Sequence, residues 1–203
     1  MSSTLNARLL YGFAAALALA QLVVLWLALH PVVAPDYAAY FLDRTTTCLN
    51  QQLVPGTYVL GETVSFTSKN YGPGKALRVC GWEGPANDGT HAIGTTSRLR
   101  FALPAAPGRL VLTLEMTAVE REGHPSQHVE ITGNGVHLGD AVIRGGETKS
   151  IDVAVPPEAL DAASQKLEVT LAYPDAIRMS PGDADTRLRS IKLLSARLGP
   201  PQP

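Results

Sequence analysis

The longest apolar run of the chain lies near its amino end. Residues 9–29 contain no charged side chain, and Gln21 is their one strongly polar member. As a helix rising about 1.5 Å per residue, this run spans about 31 Å, which matches the hydrocarbon core of a bilayer. Pro31 and Pro35 end the helical pattern. We therefore predict a transmembrane helix over residues 9–29, preceded by a cytoplasmic segment at residues 1–8.

Beyond this run, hydrophobic and polar residues alternate. Stretches such as residues 110–117 and 167–173 carry an apolar side chain at every second position, and 15 prolines and 18 glycines in the chain punctuate such stretches. A period of two is typical of a half-buried strand. We predict an all-β domain over residues 57–198, an antiparallel β-sandwich of the jelly-roll, galactose-binding-like type with about eight to ten strands. In the last strand the alternation changes phase between Leu193 and Leu194, which predicts a bulge.

One turn is specified by local sequence. Asn134-Gly135 favours a type I′ turn, and a two-residue turn fixes the pairing of the flanking strands. The predicted pairs are Gly133–Val136, Thr132–His137 and Ile131–Leu138.

Residues 30–56 are predicted to form a linker and lead-in segment, and residues 199–203 a disordered tail. Within the lead-in, residues 36–42 contain Tyr37, Tyr40 and Phe41. They fit either a short amphipathic helix at the membrane surface or an edge segment packed on the domain. The sequence leaves both alternatives open.

The charges that flank the apolar run predict its orientation. The basic residue Arg8 precedes the run, whereas two acidic residues, Asp36 and Asp43, and one basic residue, Arg44, follow it. The positive-inside rule then places the amino terminus in the cytoplasm and the domain outside. The run is longer than the apolar region of a signal peptide, and proline would follow the best cleavage site, so we predict an uncleaved anchor. The composition suits a high-GC bacterium, hence an inner-membrane protein with a periplasmic domain.

The anchor carries a ridge of small residues. Gly12, Ala16 and Ala20 are spaced by four, and Gln21 lies beside the ridge. Such spacing lets a second helix approach closely, and glutamine can hydrogen-bond across the contact. The alternative is that alanine is simply common in anchors of this composition.

Two cysteines follow the anchor, Cys48 and Cys80. Outside the cytoplasm two such cysteines usually pair, so we predict a disulfide. If residues 76–82 form a strand, Leu77 and Val79 face one way while Cys80 and Trp82 face the other. The lead-in would then cover the Trp82 face.

A long polar loop, residues 81–98, is the candidate binding site. Long polar loops on a rigid sheet often carry binding residues. An exposed indole could stack on a sugar ring while polar side chains bond its hydroxyls. The alternative is that Trp82 packs under the lead-in and the loop only connects strands. The candidate glycan contacts are Trp82, Glu83, Asn87, Asp88, His91 and Arg98.

The sequence also disfavours several functions. The net charge is −1 and no basic block stands out, so nucleic acid is not an expected partner. No catalytic or cofactor-binding motif is recognisable, so we expect no enzyme activity, cofactor or metal. Asp183 and Asp185 fit either a calcium site or a turn in which Asp185 pairs with Arg187 or Arg189.

Several of these residues also form a family pattern. Its elements are Gly81-Trp82, Gly89, the strand at residues 98–103, Gly133-Asn134-Gly135 and Asp185-x-Arg187. Over residues 60–198 the chain resembles a β-sandwich domain of bacterial envelope proteins. That domain often follows the membrane segments of polysaccharide or glycolipid glycosyltransferases and of phosphoglycerol transferases. His91 stands where the family has a second aromatic residue.

The resemblance implies a role in the envelope. We predict a non-catalytic, single-pass accessory subunit of a membrane complex, with a glycosyltransferase as the expected partner and a glycan as a possible ligand. One alternative is a purely structural subunit of a respiratory, photosynthetic or transport complex. Another is an envelope hydrolase, with Glu83 and Asp88 as its candidate carboxylates.

Overall fold

The computed structural model describes residues 2–30, 33–34, 37–42, 48, 54–103, 108–160, 165–179 and 187–201. The chain forms two compact units, Met1–Pro35 and Asp36–Pro203. Each unit is described separately below.

The first unit is a single helix, α1 (Ser2–Leu29), which begins earlier than the apolar run predicted. Its segment Leu10–Leu29 has a mean hydropathy of 2.2, and none of it is buried. The backbone of His30 closes the last turn by donating to the Trp26 carbonyl at 3.0 Å. This helix is long and apolar enough to cross a membrane, and a signal sequence has the same character.

The second unit begins with a π-helical turn, Ala38–Leu42, and continues mainly as strands. In chain order, its described elements are β1 (Thr63–Ser65), a 3-10 turn (Ser68–Asn70), α2 (Tyr71–Leu77), β2 (Arg78–Cys80), β3 (Thr90–His91), β4 (Thr96–Ala102), β5 (Leu110–Ala118), β6 (Ser126–Gly133), β7 (Val136–Arg144), β8 (Thr148–Val155), a 3-10 turn (Pro157–Ala159), β9 (Lys166–Ala172), β10 (Ile177–Arg178), β11 (Leu188–Arg189) and β12 (Ile191–Gly199).

These strands form two antiparallel sheets around one core. Among the described residues, the first sheet has the order β1-β12-β5-β8, with β3 also pairing with β12. The second has the order β2-β4-β9-β6-β7, and β10 and β11 form a separate two-stranded sheet. The unit is therefore a jelly-roll β-sandwich, which confirms the predicted fold class.

Alternation along each strand determines which side chains fill the core. Every second residue of β5 is buried, from Leu110 to Ala118. The largest fully buried side chains come from both sheets and include Phe66, Phe101, Leu114 and Leu171. The observed burial therefore confirms the strands and the inward faces that the period-two pattern predicted.

Two local features were predicted, a bulge in the last strand and the register of the Asn-Gly hairpin. The pairing of β12 with β5 shifts between Leu193 and Ser195, as the phase change indicated. At the hairpin, Gly133 pairs with Val136 and Thr132 with His137, as predicted, but Ile131 pairs with Gly139. The predicted pair Ile131–Leu138 is wrong because a bulge follows the second pair. This bulge shifts the alternation so that Ala141 and Ile143 point inward.

Asn134 does more than form the hairpin turn. It has a φ of +47°, and its amide Nδ2 donates to the carbonyls of Ala159 and Lys166 at 2.9 Å each. Its Oδ1 accepts from the Glu168 backbone at 2.9 Å. The hairpin tip is therefore tied to the neighbouring strand β9.

We expect Asn134→Gly to lower the free energy of unfolding by about 2 kcal/mol, because it keeps the turn but removes three side-chain hydrogen bonds. Hydrogen–deuterium exchange of the β5 amides in the full chain would measure this. Asn87→Gly, which removes one bond at an exposed site, is the control. Equal stability of the two variants would show that the turn alone matters.

The segment predicted as a strand at residues 76–82 differs in two ways. Helix α2 extends to Leu77, and the pairing of β2 with β4 shifts between Arg78 and Cys80. This bulge places Val79 and Cys80 on one side, in a small cluster with Val54 and Cys48. Leu77 and Trp82 instead join the main core. The predicted faces are therefore wrong, and the lead-in covers Val79 and Cys80 rather than Trp82.

The Cys48–Cys80 disulfide is present, with the two Cα atoms 4.6 Å apart. It joins the lead-in segment to β2, as predicted. Next to it, the Gly56 N–H donates to the Ala76 carbonyl at 3.1 Å, and the Ala102 N–H donates to the Gly56 carbonyl at 2.8 Å. The lead-in is thus held against the edge of the second sheet by covalent and hydrogen bonds.

Candidate functional site

The loop between β2 and β4 is a folded hairpin. Trp82 bridges to Ala92 and Ala86 bridges to Gly89, so the two halves of the loop pair with each other. The loop contains β3, which also pairs with β12 at Lys192 and Leu193. Asn87 and Asp88 form the exposed turn, which we call the loop tip. The loop therefore presents its tip from a backbone that is fixed to the first sheet.

Trp82 lies inside the domain, with only 8% of its surface exposed. Its Nε1 donates to the Arg98 carbonyl at 2.8 Å. Its ring lies near Phe66, with centroids 6.5 Å apart and planes inclined by 23°. A buried indole offers no face to a sugar ring, so the prediction of an exposed stacking residue is wrong. The alternative correctly predicted that Trp82 is buried, but the indole packs on the main core and not under the lead-in.

Glu83 is surrounded by cationic side chains. Arg189 makes a bidentate pair with its carboxylate, at 2.6 and 3.1 Å, and Arg187 lies 3.0 Å from Oε1. The Glu83 carbonyl accepts from Arg78 at 2.8 Å and from the Thr90 hydroxyl at 2.7 Å. Two parallel N–H bonds to a carboxylate fix the side chain in one orientation. Glu83 therefore connects the base of the loop to β11.

The loop tip is polar and braced by neighbouring elements. Asp88 is 68% exposed by its side chain and accepts from the Lys192 ammonium at 2.6 Å. This hydrogen bond and the Lys192 charge lower the pKa of Asp88. Asn87 accepts from the Ser68 hydroxyl at 3.0 Å. The tip thus displays an ionised carboxylate and an amide that retain free hydrogen-bonding capacity toward solvent.

His91 lies between the tip and the Glu83 cluster. Burial lowers its pKa most, and the Lys192 and Arg189 charges lower it further, while Glu83 and Asp88 act in the opposite direction. Its Nδ1 is buried without a hydrogen bond among the described residues. The lowered pKa keeps the His91 imidazole neutral at pH 7, so His91 adds no charge to the cluster.

Arg98 does not belong to this site. Its guanidinium lies 3.5 Å from Glu168 on β9, on the outer face of the second sheet. Arg100 binds the same carboxylate at 2.6 Å. The structure thus brings Glu83, Asn87, Asp88 and His91 onto one loop but separates them from Arg98 and from the indole of Trp82.

Several residues of the site come from other parts of the chain. Arg189 and Lys192 bind Glu83 and Asp88, and Arg78 binds the Glu83 backbone. The sequence signalled only that arginines near residue 187 could pair with an acid. The predicted pairing of Asp185 with Arg187 or Arg189 stays a prediction, because Asp183 and Asp185 lie outside the described residues. Within the described residues, both arginines pair with Glu83.

The two carboxylates are poorly suited to acid catalysis. A glycosidase acid needs a raised pKa, which burial or a like charge provides. Here Glu83 is paired with two guanidiniums, and the pKa of Asp88 is lowered. No three His, Cys, Asp or Glu side chains of the described chain converge as metal ligands. The arrangement favours hydrogen bonding to polar groups.

Comparisons with solved structures find carbohydrate-binding modules among the similar chains. No family model matches the chain, and no curated protein matches it. Among solved structures, the CBM36-1 domain of a multidomain xylanase from the hindgut metagenome of Trinervitermes trinervoides has a TM-score of 0.40 at 9% identity. That comparison covers 70% of this chain and 98% of the module.

Two other modules show the same degree of likeness. The carbohydrate-binding module CBM36 in complex with calcium and xylotriose has a TM-score of 0.36 at 10% identity, covering 75% of this chain and 97% of that one. Xyl-CBM35 in complex with a glucuronic acid containing disaccharide has a TM-score of 0.34 at 13% identity, covering 75% of this chain and 88% of that one. At these values the likenesses transfer neither a ligand nor a binding site to this chain.

Proposed function

We propose that this protein is a non-catalytic, single-pass accessory subunit of the bacterial inner membrane. Its periplasmic β-sandwich contacts a glycan for a complex that makes or exports a polysaccharide, with a glycosyltransferase as the partner. The observation that carries the proposal is the loop tip, where Asn87 and Asp88 are exposed yet held by Ser68 and Lys192. Preorganised carboxylate, amide and ammonium groups match the hydroxyls of a sugar.

The burial of Trp82 changes how such a glycan would be recognised. Without an exposed aromatic face in the loop, affinity comes from hydrogen bonds to the tip. Each bond exchanged with water contributes only about 0.5–1.5 kcal/mol, so a single site of this kind binds weakly. A membrane anchor offsets weak binding because it keeps the domain at a high effective concentration beside its complex. The proposed anchor and the polar site therefore support the same role.

The glycan role can be tested with the full chain in lipid nanodiscs on an array of bacterial surface polysaccharides. We expect wild type to bind a subset of them and the double variant Asn87→Ala, Asp88→Ala to bind about tenfold more weakly, because two hydrogen-bonding groups are removed. Asp140→Ala is the matched control, since it removes an exposed carboxylate on β7. Absence of binding by wild type, or equal binding by all three proteins, would contradict the proposed site.

The small-residue ridge of α1 supports association with a partner helix. A Cβ added at Gly12 meets no atom within 4 Å, so larger side chains fit the isolated helix. Ala20 and Gln21 line a shallow apolar groove on the helix with Leu17, Val24 and Ala28. Small residues in such positions allow two helix backbones to approach closely.

We expect Gly12→Leu with Ala16→Leu to abolish native co-purification of the membrane partner. Ala14→Leu with Ala18→Leu also adds two leucines, on the opposite face, and should leave co-purification intact. Mass spectrometry of the complex captured with wild type identifies the partner. Recovery of a respiratory or transport complex instead of a glycosyltransferase would favour a purely structural subunit. If the Gly12→Leu, Ala16→Leu variant recovers the partner as well as wild type does, α1 is only an anchor.

A further inference from the structure

Exposed apolar side chains in the second unit are concentrated in one short segment. Its described residues include six large hydrophobic side chains with high exposure, and three of these lie within residues 37–42. We call residues 37–42 the aromatic turn. Tyr37 is 47% exposed, Phe41 46% and Leu42 65%. The other three, Val59, Val142 and Met179, lie far apart in the sequence. Single exposed apolar residues are ordinary, whereas a cluster needs an explanation.

The aromatic turn is an ordered cluster of rings. The Tyr37 and Phe41 ring centroids are 4.4 Å apart, and those of Tyr40 and Phe41 are 4.7 Å apart in an edge-to-face arrangement. The rings contact each other while the outer surfaces of Tyr37 and Phe41 face solvent. An edge segment packed on the domain would bury these surfaces. The turn therefore presents an apolar and aromatic surface away from the core.

Covalent connections limit where this surface can lie. Eight residue steps separate Leu29, the end of α1, from Tyr37, which allows a separation of at most about 28 Å. Six steps separate Leu42 from Cys48, which the disulfide ties to the domain. A membrane surface at the end of α1 is thus always within reach of the turn. Tyrosines and flanking aromatic rings are the side chains that favour the boundary between lipid headgroups and acyl chains.

We propose that the aromatic turn inserts into the outer headgroup region of the same bilayer that α1 spans. This inference rests on the anchored topology of the proposed function, and it adds a second contact with lipid. With two attachments to the membrane, one at α1 and one at the turn, the domain has a restricted orientation instead of hanging from a free linker. The bilayer is the occupant that the short tether and the ring chemistry both favour.

Depth-dependent quenching tests this in the full chain reconstituted in phosphatidylcholine nanodiscs, with bromine near the carboxyl end of one acyl chain. In a Trp26→Phe background, Phe41→Trp adds a reporter to the turn, and Leu42→Trp is a second, independent reporter. Val142→Trp is the control, since Val142 is 56% exposed on β7. Trp82 stays in every variant, and its buried emission reports that the domain is folded.

We expect brominated lipid to quench the added fluorescence of Phe41→Trp and Leu42→Trp at least about twofold, and to leave that of Val142→Trp unchanged. Turn reporters that resemble the control would overturn the inference and would leave a protein partner as the occupant. Quenching of Trp26 in the wild-type chain distinguishes this outcome from the case in which α1 does not span the membrane. If Trp26 is quenched in the wild type while the turn reporters are not, only the present inference fails; if Trp26 is not quenched, the membrane span itself is wrong.

Discussion

Gly81→Ala is expected to destabilise the domain by about 2–4 kcal/mol. Gly81 has a φ of +77°, and a Cβ built there would lie 2.3 Å from the Thr96 carbonyl oxygen and 2.6 Å from the Ser97 Cα. The left-handed backbone costs about 1 kcal/mol or more for alanine. The clash adds about 1–3 kcal/mol, because backbone atoms of β4 must move to relieve it. Hydrogen–deuterium exchange of the β5 and β12 amides in the full chain measures the loss.

Gly123→Ala isolates the clash from the backbone strain. Gly123 has nearly the same φ, +79°, but an added Cβ meets nothing within 4 Å. We expect it to cost only the conformational term of about 1 kcal/mol. The difference between the two variants then measures how tightly the root of the loop is packed against β4. If both variants lose the same stability, the close approach at Gly81 does not constrain the loop.

Removal of the Cys48–Cys80 disulfide is expected to lower the free energy of unfolding by about 3.5 kcal/mol, from the loss of a constraint on the unfolded chain. The two cysteines are separated by 32 positions, and both pack in the small cluster with Val54 and Val79. Cys48→Ala with Cys80→Ala avoids placing a hydroxyl in this apolar cluster. Urea unfolding followed by the emission of buried Trp82 would report the change.

Reductant provides the control for this prediction. Wild type should lose about the same stability when reduced, whereas the double alanine variant should be insensitive to reductant. A wild type that unfolds at the same urea concentration with and without reductant would show that the lead-in is held by its hydrogen bonds alone. One such bond joins the Arg100 guanidinium to the Val54 carbonyl at 3.4 Å.

The positions of the strands along the chain and their inward faces followed from local patterns. A half-buried strand must alternate apolar and polar residues, so the sequence of β5 alone indicates which of its side chains are buried. The Asn134-Gly135 turn requires positive φ at both positions, which only a few residues adopt readily, and both have it. The phase change in β12 likewise reports its bulge. Each of these features depends on a few neighbouring residues.

The faces of β2 and of the following Trp82 were mispredicted because regular alternation does not hold across residues 77–82. The bulge between Arg78 and Cys80 leaves Val79 and Cys80 on one side. Gly81 follows with a φ of +77°, and Trp82 then lies in the core and not outside, where alternation placed it. Nothing in the residues around Val79 marks this bulge, since it depends on how β2 meets β4. The expected sugar-stacking role of Trp82 was lost for this reason.

The sequence by itself determined the apolar helix, the alternating strands, the Asn-Gly hairpin and the pairing of two cysteines, because each depends on local periodicity or on the only available partner. Tertiary structure alone decided the chemistry of the loop. Glu83 meets Arg189 across 106 positions, and Asp88 meets Lys192 across 104. Such pairs depend on the register and order of strands that are distant in sequence, and a single bulge can change that register.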